Sequence, residues 1–303
     1  MLKKQLFIIS TLIIVLISIS SLDYSKESVF NNTQIENFSK DEEYIKLFSK
    51  IMTRHEQYFD NFVANTNRSY IYHIISYISP SISQKFDLNK KSEKLLLENI
   101  NNPIFLDKDR WFNNSDVFQS VLDNLDLMSI KNIPIPDTYK EYDWENFINN
   151  YELSDIESYK KSTIIYIYKR ILNRTGLIDY DVDNLQKNIL GSDIKNKSRV
   201  YGYFLTHIIF YDSDWFQKEL EYKDYQNIIK EIENLTDFVI KTNDYDLAGE
   251  LYICLKLFEL NENDSLKKLD DFLFSEKAIN NISVSFSNHL LVVYLLSLVF
   301  KIG

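Results

Sequence analysis

Glycine and proline are so scarce in this chain that they limit the folds it can adopt. The 303 residues include five glycines and four prolines. A β-sandwich or β-barrel needs many tight turns, which these two residue types usually supply. From Asp41 onward, apolar residues instead recur every three or four positions, which is the period of an amphipathic helix. The sequence therefore predicts an all-α fold with short polar loops.

The spacing of the apolar segments predicts about a dozen helices of roughly 9–20 residues after Asp41. Helices at this spacing favour antiparallel helix pairs, arranged as a solenoid, an α/α toroid or an irregular bundle. No repeat of fixed period is found, which weakens the solenoid alternative. The prolines of segment 134–136 disfavour helix and predict a sub-boundary near 131–137. The predicted helices of the C-terminal half are 155–172, 182–190, 199–211, 215–222, 224–241, 246–260, 264–275 and 287–300.

The N-terminus has the pattern of an export signal. Lys3 and Lys4 precede the apolar run Leu6–Ile17, and small residues follow. This arrangement is typical of a signal peptide, and the run is also nearly long enough to span a bilayer, so an uncleaved anchor stays open. We predict a protein exported to the cell envelope or beyond, in contact with the membrane only through residues 6–22 if these are retained. The predicted regions are 1–22 as signal peptide or membrane anchor, 23–40 as polar tether and 41–303 as helical domain.

The net charge of −10 argues against a nucleic-acid partner, because such proteins usually carry a basic surface. The hydrophobic content of 45% is that of a folded chain rather than a disordered one. Cys254, the single cysteine, cannot form an internal disulfide and lies in an apolar stretch, so a buried and inert thiol is predicted. The sequence has no glycine-rich phosphate loop and no Gly-x-Ser-x-Gly motif. No cofactor is predicted.

The main candidate site is a stripe of side chains on one predicted helix. Tyr203, His207, Tyr211 and Asp214 fall within roughly 80° of one another at about 100° per residue. An imidazole can exchange protons near neutral pH, so His207 is a candidate acid or base. The phenols of Tyr203 and Tyr211 are candidate ligand-binding groups. The alternatives are a hydrogen-bonded core histidine and, for Asp214, an N-cap of the following predicted helix.

Two later segments add further candidates. Asp244 and Asp246 precede an apolar helix and Glu250 follows one turn later, which favours capping but also allows carboxylates to converge on His207. His289 begins a nearly apolar helix, where a buried imidazole needs a polar partner. No His-x-x-x-His or Glu-x-x-His pair is present, and no metal is predicted. The candidate catalytic residues are His207, Asp214, Glu250 and His289.

A wider pattern surrounds the stripe and reads Tyr203-x-Leu205-Thr206-His207-x-x-Phe210-Tyr211-x-Ser213-Asp214-Trp215. It resembles a motif of uncharacterised bacterial all-helical proteins of about this length. Two later segments are similar to segments of the same proteins: Asp244-x-Asp246-Leu247-x-x-Glu250-Leu251 and Phe286-Ser287-Asn288-His289. The chain departs from the pattern at Phe216, where glycine is usual, and at Asn288 and Leu290. The resemblance covers residues 199–293, implies a helical fold and points to His207 and His289, but implies no activity.

Two classes of function are consistent with these observations. The first is a non-catalytic binding or structural protein, exported or tethered to the membrane, whose partner is an unknown protein or a small ligand. The second is an enzyme with its site in the cavity of a helical toroid, where His207 acts as acid or base and a carboxylate orients it. A pocket that holds both His207 and His289 would favour the enzyme. Separate packed environments for the two imidazoles would favour the first class.

Overall fold

A computed structural model of the chain describes residues 32–112, 114–150, 158–191, 199–260, 262–285 and 287–302. The predicted export signal at residues 1–22 lies outside these described residues. Clustering of contacts divides the chain into two compact units, residues 1–43 and residues 44–303. The second unit contains every element of the candidate site.

The described residues form 17 α-helices and contain no strand, which confirms the predicted all-α class. None of the described helices is both long enough and apolar enough to cross a bilayer. The helices are α1 Asn32–Tyr58, α2 Phe62–Ile78, α3 Pro80–Phe86, α4 Leu88–Ile100, α5 Pro103–Leu106, α6 Lys108–Phe112, α7 Ser115–Ile130, α8 Asp137–Lys140, α9 Trp144–Asn150, α10 Ser158–Arg174, α11 Val182–Gly191, α12 Arg199–Asp212, α13 Tyr222–Thr242, α14 Tyr245–Leu257, α15 Asp264–Leu273, α16 Glu276–Ser283 and α17 Asn288–Ile302.

Side-chain caps fix the start of several of these helices. Asn114 accepts hydrogen bonds from the backbone N–H groups of Asp116 and Val117 at 3.0 and 3.1 Å, which begins α7. Asp244 accepts from the N–H of Leu247 at 3.3 Å and begins α14, so its predicted capping role is confirmed. Each such cap contributes about 1 kcal/mol to the stability of its helix.

Six helices contact one another in a closed cycle. In chain order α2 contacts α7, α7 contacts α10, α10 contacts α12, α12 contacts α14 and α14 contacts α17. The last helix of this series, α17, then contacts the first, α2. Outside the cycle, α4 packs against α2, and α13 packs against α12 and α14. Cys254 on α14 is fully buried, as predicted.

The backbones of α14 and α17 approach closely at Gly249. A Cβ atom placed on Gly249 would lie 2.6 Å from Cγ1 of Val293 on α17 and 3.1 Å from Oγ of Ser297. Such distances are shorter than van der Waals contact, so a larger residue cannot fit without a shift of the neighbouring helix. Glycine at this position therefore sets the spacing between the two helices.

The helix predicted at 215–222, with Asp214 as its N-cap, is wrong. Asp214, Trp215 and Phe216 have φ angles of 53°, 53° and 71°, in the left-handed region that helical residues do not adopt. The N–H of Trp215 instead donates to the carbonyl of Phe210 at 2.7 Å and closes the end of α12. Phe216 is 8% exposed and packs its ring against Phe210. Burial of these aromatic rings outweighs the local preference for a capped helix.

Candidate functional site

The helices of the cycle enclose a cavity of about 780 Å³. Every one of the six contributes residues to its wall, and Trp215 in the turn after α12 adds an indole. Much of the wall is apolar, with a small number of polar side chains set into it. This size and composition are typical of sites that enclose small organic molecules. Apolar wall residues include Ile71, Ile164, Ile167, Ile253, Val292 and Leu296.

Most of the candidate residues from the sequence meet in this cavity. Its lining includes Tyr203, His207, Tyr211, Glu250 and His289. Asp214 does not line it. The carboxylate of Asp214 instead forms ion pairs with Nη2 of Arg174 at 2.5 Å and Nζ of Lys218 at 3.5 Å.

Asp246 connects three helices at the polar end of the cavity. Its Oδ1 lies 2.8 Å from Nδ1 of His289 on α17. Its Oδ2 accepts hydrogen bonds from the hydroxyl of Tyr203 at 2.7 Å and from Nη2 of Arg199 at 3.1 Å, both on α12. Because all these donors favour a charged acceptor, the carboxylate is ionised. Burial would raise the pKa of Asp246, but His289, Tyr203 and Arg199 together lower it.

His289 is a cation at neutral pH. Burial among protein atoms would lower its pKa, but the charge and hydrogen bond of Asp246, together with the charge of Glu250, raise it to about 9. Nε2 of the ring lies 3.7 Å from Oε1 of Glu250. The side chain is 48% exposed, and it lines the cavity. The cavity therefore presents an imidazolium whose charge is balanced by the ionised carboxylate of Asp246.

His207 is neutral and offers a free acceptor atom. Its Nδ1 lies 2.7 Å from the carbonyl oxygen of Tyr203. A carbonyl can only accept, so the proton sits on Nδ1 and Nε2 carries a lone pair. Burial lowers the pKa of His207 to about 4, with a further contribution from the charge of His289. Among the described residues, Nε2 of His207 has no hydrogen-bond partner.

Glu250 lies between the two imidazoles. Its Oε2 is 3.8 Å from Nδ1 of His207 and forms a short hydrogen bond with the hydroxyl of Thr206. Burial raises the pKa of Glu250 to about 8, and the charge of Asp246 adds to this shift while His289 opposes it. At neutral pH Glu250 is therefore mostly protonated, and the hydroxyl of Thr206 donates to its Oε2. The cavity thus holds three adjacent groups in different protonation states: Glu250 is a neutral acid, His289 is a cation and His207 is a neutral base.

The sequence reasoning missed two carboxylates of the cavity wall, Asp116 and Asp123 on α7. The side-chain amide of Gln119 donates to Oδ1 of Asp123 at 2.8 Å. Burial raises the pKa of Asp123 to about 7, although the nearby charge of His289 acts against this shift. The sequence does contain a pattern that could have identified these carboxylates. Asp116, Gln119, Ser120 and Asp123 follow the i, i+3, i+4, i+7 spacing of one helix face. All four line the cavity.

The described part of the chain has no candidate metal site. No three His, Cys, Asp or Glu side chains there are arranged so that they could hold a metal ion.

Comparison with known proteins gives a partial match. A family model described as a domain of unknown function (DUF6895) matches residues 173–267. This segment includes Tyr203, His207, Asp246 and Glu250, whereas Asp123 and His289 lie outside it. No curated protein and no solved structure matches the chain.

Proposed function

We propose that this protein binds a small organic molecule in the cavity enclosed by the six-helix cycle. The observation that carries the proposal is the unpartnered Nε2 of His207 in the wall of a 780 Å³ cavity. A folded protein usually leaves a polar atom without a partner only where water or a ligand can reach it. The closed cycle of helix contacts supports an α/α toroid, in which a central cavity is bounded by the inner helices.

The wall supplies each kind of contact that a small ligand needs. The isoleucines and valines offer apolar surface, and burial of a ligand against it contributes roughly 25 cal/mol per Å². His207 offers an acceptor for a hydroxyl or N–H group of the ligand. His289 and the acidic side chains offer charge at the polar end. A few polar groups in an apolar cavity orient the ligand and give specificity.

Acid–base catalysis is a second candidate, supported by the presence of both imidazoles in one cavity, the arrangement expected for the enzyme alternative. The pKa of His207 is about 4 and that of His289 about 9, so one is a neutral base and the other a cationic acid at pH 7. Titratable groups with such divergent pKa values in one cavity are typical of acid–base sites. The test is whether a bound compound is chemically converted. Catalysis is supported if the wild type converts the compound and the His207→Ala variant binds it without converting it. If the wild type binds the compound but does not convert it, only the binding function is supported.

Narrowing the cavity is expected to prevent binding. Ile164→Trp places a larger side chain on the α10 wall, and we expect affinity for cavity ligands to fall by about tenfold or more. A fragment library screened by ligand-observed nuclear magnetic resonance supplies the ligands and their dissociation constants. Ile165→Trp is the matched control, since Ile165 is also half-buried on α10 but does not line the cavity. Equal binding to both variants, or no bound fragments at all, would contradict the proposal.

We also propose that the chain is exported or held at the membrane by its N-terminal segment. The support is the sequence of Lys3, Lys4 and the apolar run Leu6–Ile17. Replacing Ile13 and Ile14 with aspartate interrupts the apolar run and is expected to leave the tagged chain in the cytosol. Cell fractionation measures this. A wild-type product found uncleaved and wholly cytosolic would show that the segment does not direct export.

A further inference from the structure

One part of the cavity wall is a cluster of aromatic rings around Trp215. The centroid of its indole lies 5.0 Å from that of Tyr70, 5.4 Å from Phe210 and 5.6 Å from Tyr211. All four residues line the cavity. Their rings come from α2, α12 and the turn after α12, so the cluster is formed by the tertiary fold. Aromatic faces carry negative partial charge and attract cations within about 6 Å.

A carboxylate in the wall of the same cavity, that of Asp123, is not paired with a lysine or arginine in the described part of the chain. Asp123 lines the same cavity, and its hydrogen-bond donor is the neutral amide of Gln119 at 2.8 Å. Within the described residues it forms no ion pair with a lysine or arginine. Both Asp123 and Tyr211 line the cavity, and the charge of Asp123 adds to the effect of burial in raising the pKa of the Tyr211 phenol.

The charged groups at the polar end of the cavity are matched within the protein. Arg199 pairs with Asp244 at 2.8 Å and with Asp246 at 3.1 Å. His289 pairs with Asp246 at 2.8 Å and lies 3.7 Å from Glu250. The positive charge of His289 lowers the pKa of Asp123, but His289 is already paired with Asp246. Burial raises the pKa of Asp123 to about 7, and a cation bound beside it would favour its ionised form.

We propose that the cavity takes an organic ammonium ion, either a protonated amine or a quaternary ammonium, with its charge between Asp123 and the Trp215 cluster. This inference rests on the proposed ligand-binding function and specifies the class of ligand. Trp215 and its neighbours supply cation–π contacts, and Asp123 supplies the opposite charge. The apolar body of the ligand then lies against the aliphatic wall. A hydroxyl or N–H group of the ligand can donate to Nε2 of His207.

The test compares three compounds of one size and different charge. Benzylamine is a cation at neutral pH, benzyl alcohol is uncharged and benzoate is an anion. Isothermal titration of the full chain is expected to give a dissociation constant for benzylamine about tenfold lower than that for benzyl alcohol. Benzoate should bind most weakly, and benzyltrimethylammonium should bind at least as tightly as benzylamine.

Two variants test whether Asp123 causes the preference for a cation. Asp123→Asn keeps the shape of the side chain and removes its charge, so the affinities for benzylamine and benzyl alcohol should become equal within about twofold. Asp271→Asn is the matched control, because it removes the same charge from an exposed residue of α15 that does not line the cavity. It should keep the full preference. The comparison of compounds on the wild type stands even if Asp123→Asn fails to fold.

The possible outcomes distinguish a failure of the cation preference from a failure of the proposed ligand binding. If benzyl alcohol or benzoate binds as tightly as benzylamine, the preference for a cation is refuted while ligand binding stands. The same holds if none of the three binds but other fragments bind and are lost in Ile164→Trp. If no fragment binds in the cavity, both proposals fail. A preference that persists in Asp123→Asn would overturn the assignment to this carboxylate.

Discussion

Asp126→Ala is expected to destabilise the protein by about 3–5 kcal/mol, as the removal of one partner of a buried ion pair usually does. Asp126 on α7 is 1% exposed, and its carboxylate lies 3.1 Å from Nε of Arg174 on α10. The hydroxyl of Tyr70 on α2 donates a short hydrogen bond to the same carboxylate. Alanine would leave the buried phenol without its acceptor and Arg174 with Asp214 as its remaining partner.

Chemical denaturation measures the free energy of unfolding of this variant beside two controls. Asp237→Ala removes an exposed carboxylate that pairs with Lys268 at 2.8 Å, and it should cost less than about 1 kcal/mol. The double change Asp126→Leu with Arg174→Met removes both charges and should recover part of the loss. A cost for Asp126→Ala no larger than that of Asp237→Ala would show that the buried pair does not stabilise this part of the fold.

The same residue supports the cavity wall. Tyr70, which Asp126 holds, packs edge-on against the indole of Trp215. Both rings belong to the aromatic cluster of the proposed cation site. Loss of Asp126 is therefore expected to weaken binding as well as stability, whereas Asp237→Ala should leave binding unchanged.

Gly249→Ala is expected to destabilise the protein by about 1–3 kcal/mol, although the same change inside a helix usually stabilises by up to about 1 kcal/mol. The reason is the Cβ position, which would lie 2.6 Å from Cγ1 of Val293. Val293 is β-branched and has little freedom to rotate away. The two helices must then separate. Glu250 is the next residue on α14, and His289 precedes Val293 by one turn on α17, so the separation would disturb their contact.

Thermal and chemical denaturation test this prediction through rescue. Adding Val293→Ala to Gly249→Ala removes the obstructing methyl groups and should restore much of the lost stability. Gly191→Ala is the control, because a Cβ atom there has no heavy atom within 4 Å. It should leave stability unchanged or slightly higher. If Gly249→Ala behaves like Gly191→Ala, the close approach of the helices does not limit this position.

The sequence was sufficient for the fold class and for most of the polar end of the cavity. Few glycines and a helical apolar period exclude sheet folds whatever the tertiary arrangement. The spacing of Tyr203, His207 and Tyr211 places them on one helix face, and the structure puts that face on the cavity. His289 was a candidate because an imidazole in an apolar helix needs a partner. Which partner it has depended on the packing of α17 against α14, which no local pattern contains.

The incorrect and missed predictions also arose because a local sequence pattern does not contain the tertiary packing. Asp214 follows the pattern of an N-cap, but Trp215 and Phe216 bury their rings and force a left-handed turn that glycine would adopt more easily. Asp246 satisfies the pattern of a capping region as well, yet its carboxylate bonds across three helices. Asp123 sits on a polar face that is equally consistent with exposure to solvent. Local patterns identify a polar face but do not say whether that face borders water or a cavity.

The order of the six-helix cycle has a consequence for how the protein matures. Because the chain visits the cycle in sequence, and α17 near residue 300 contacts α2 near residue 70, the enclosure is completed by its last member. A growing chain on the ribosome therefore has an open groove, lined by apolar and aromatic surface, until α17 has emerged. Contacts of such large sequence separation form slowly. The partly made protein would expose the whole length of this groove to chaperones, whereas in the finished protein α17 covers one side of it.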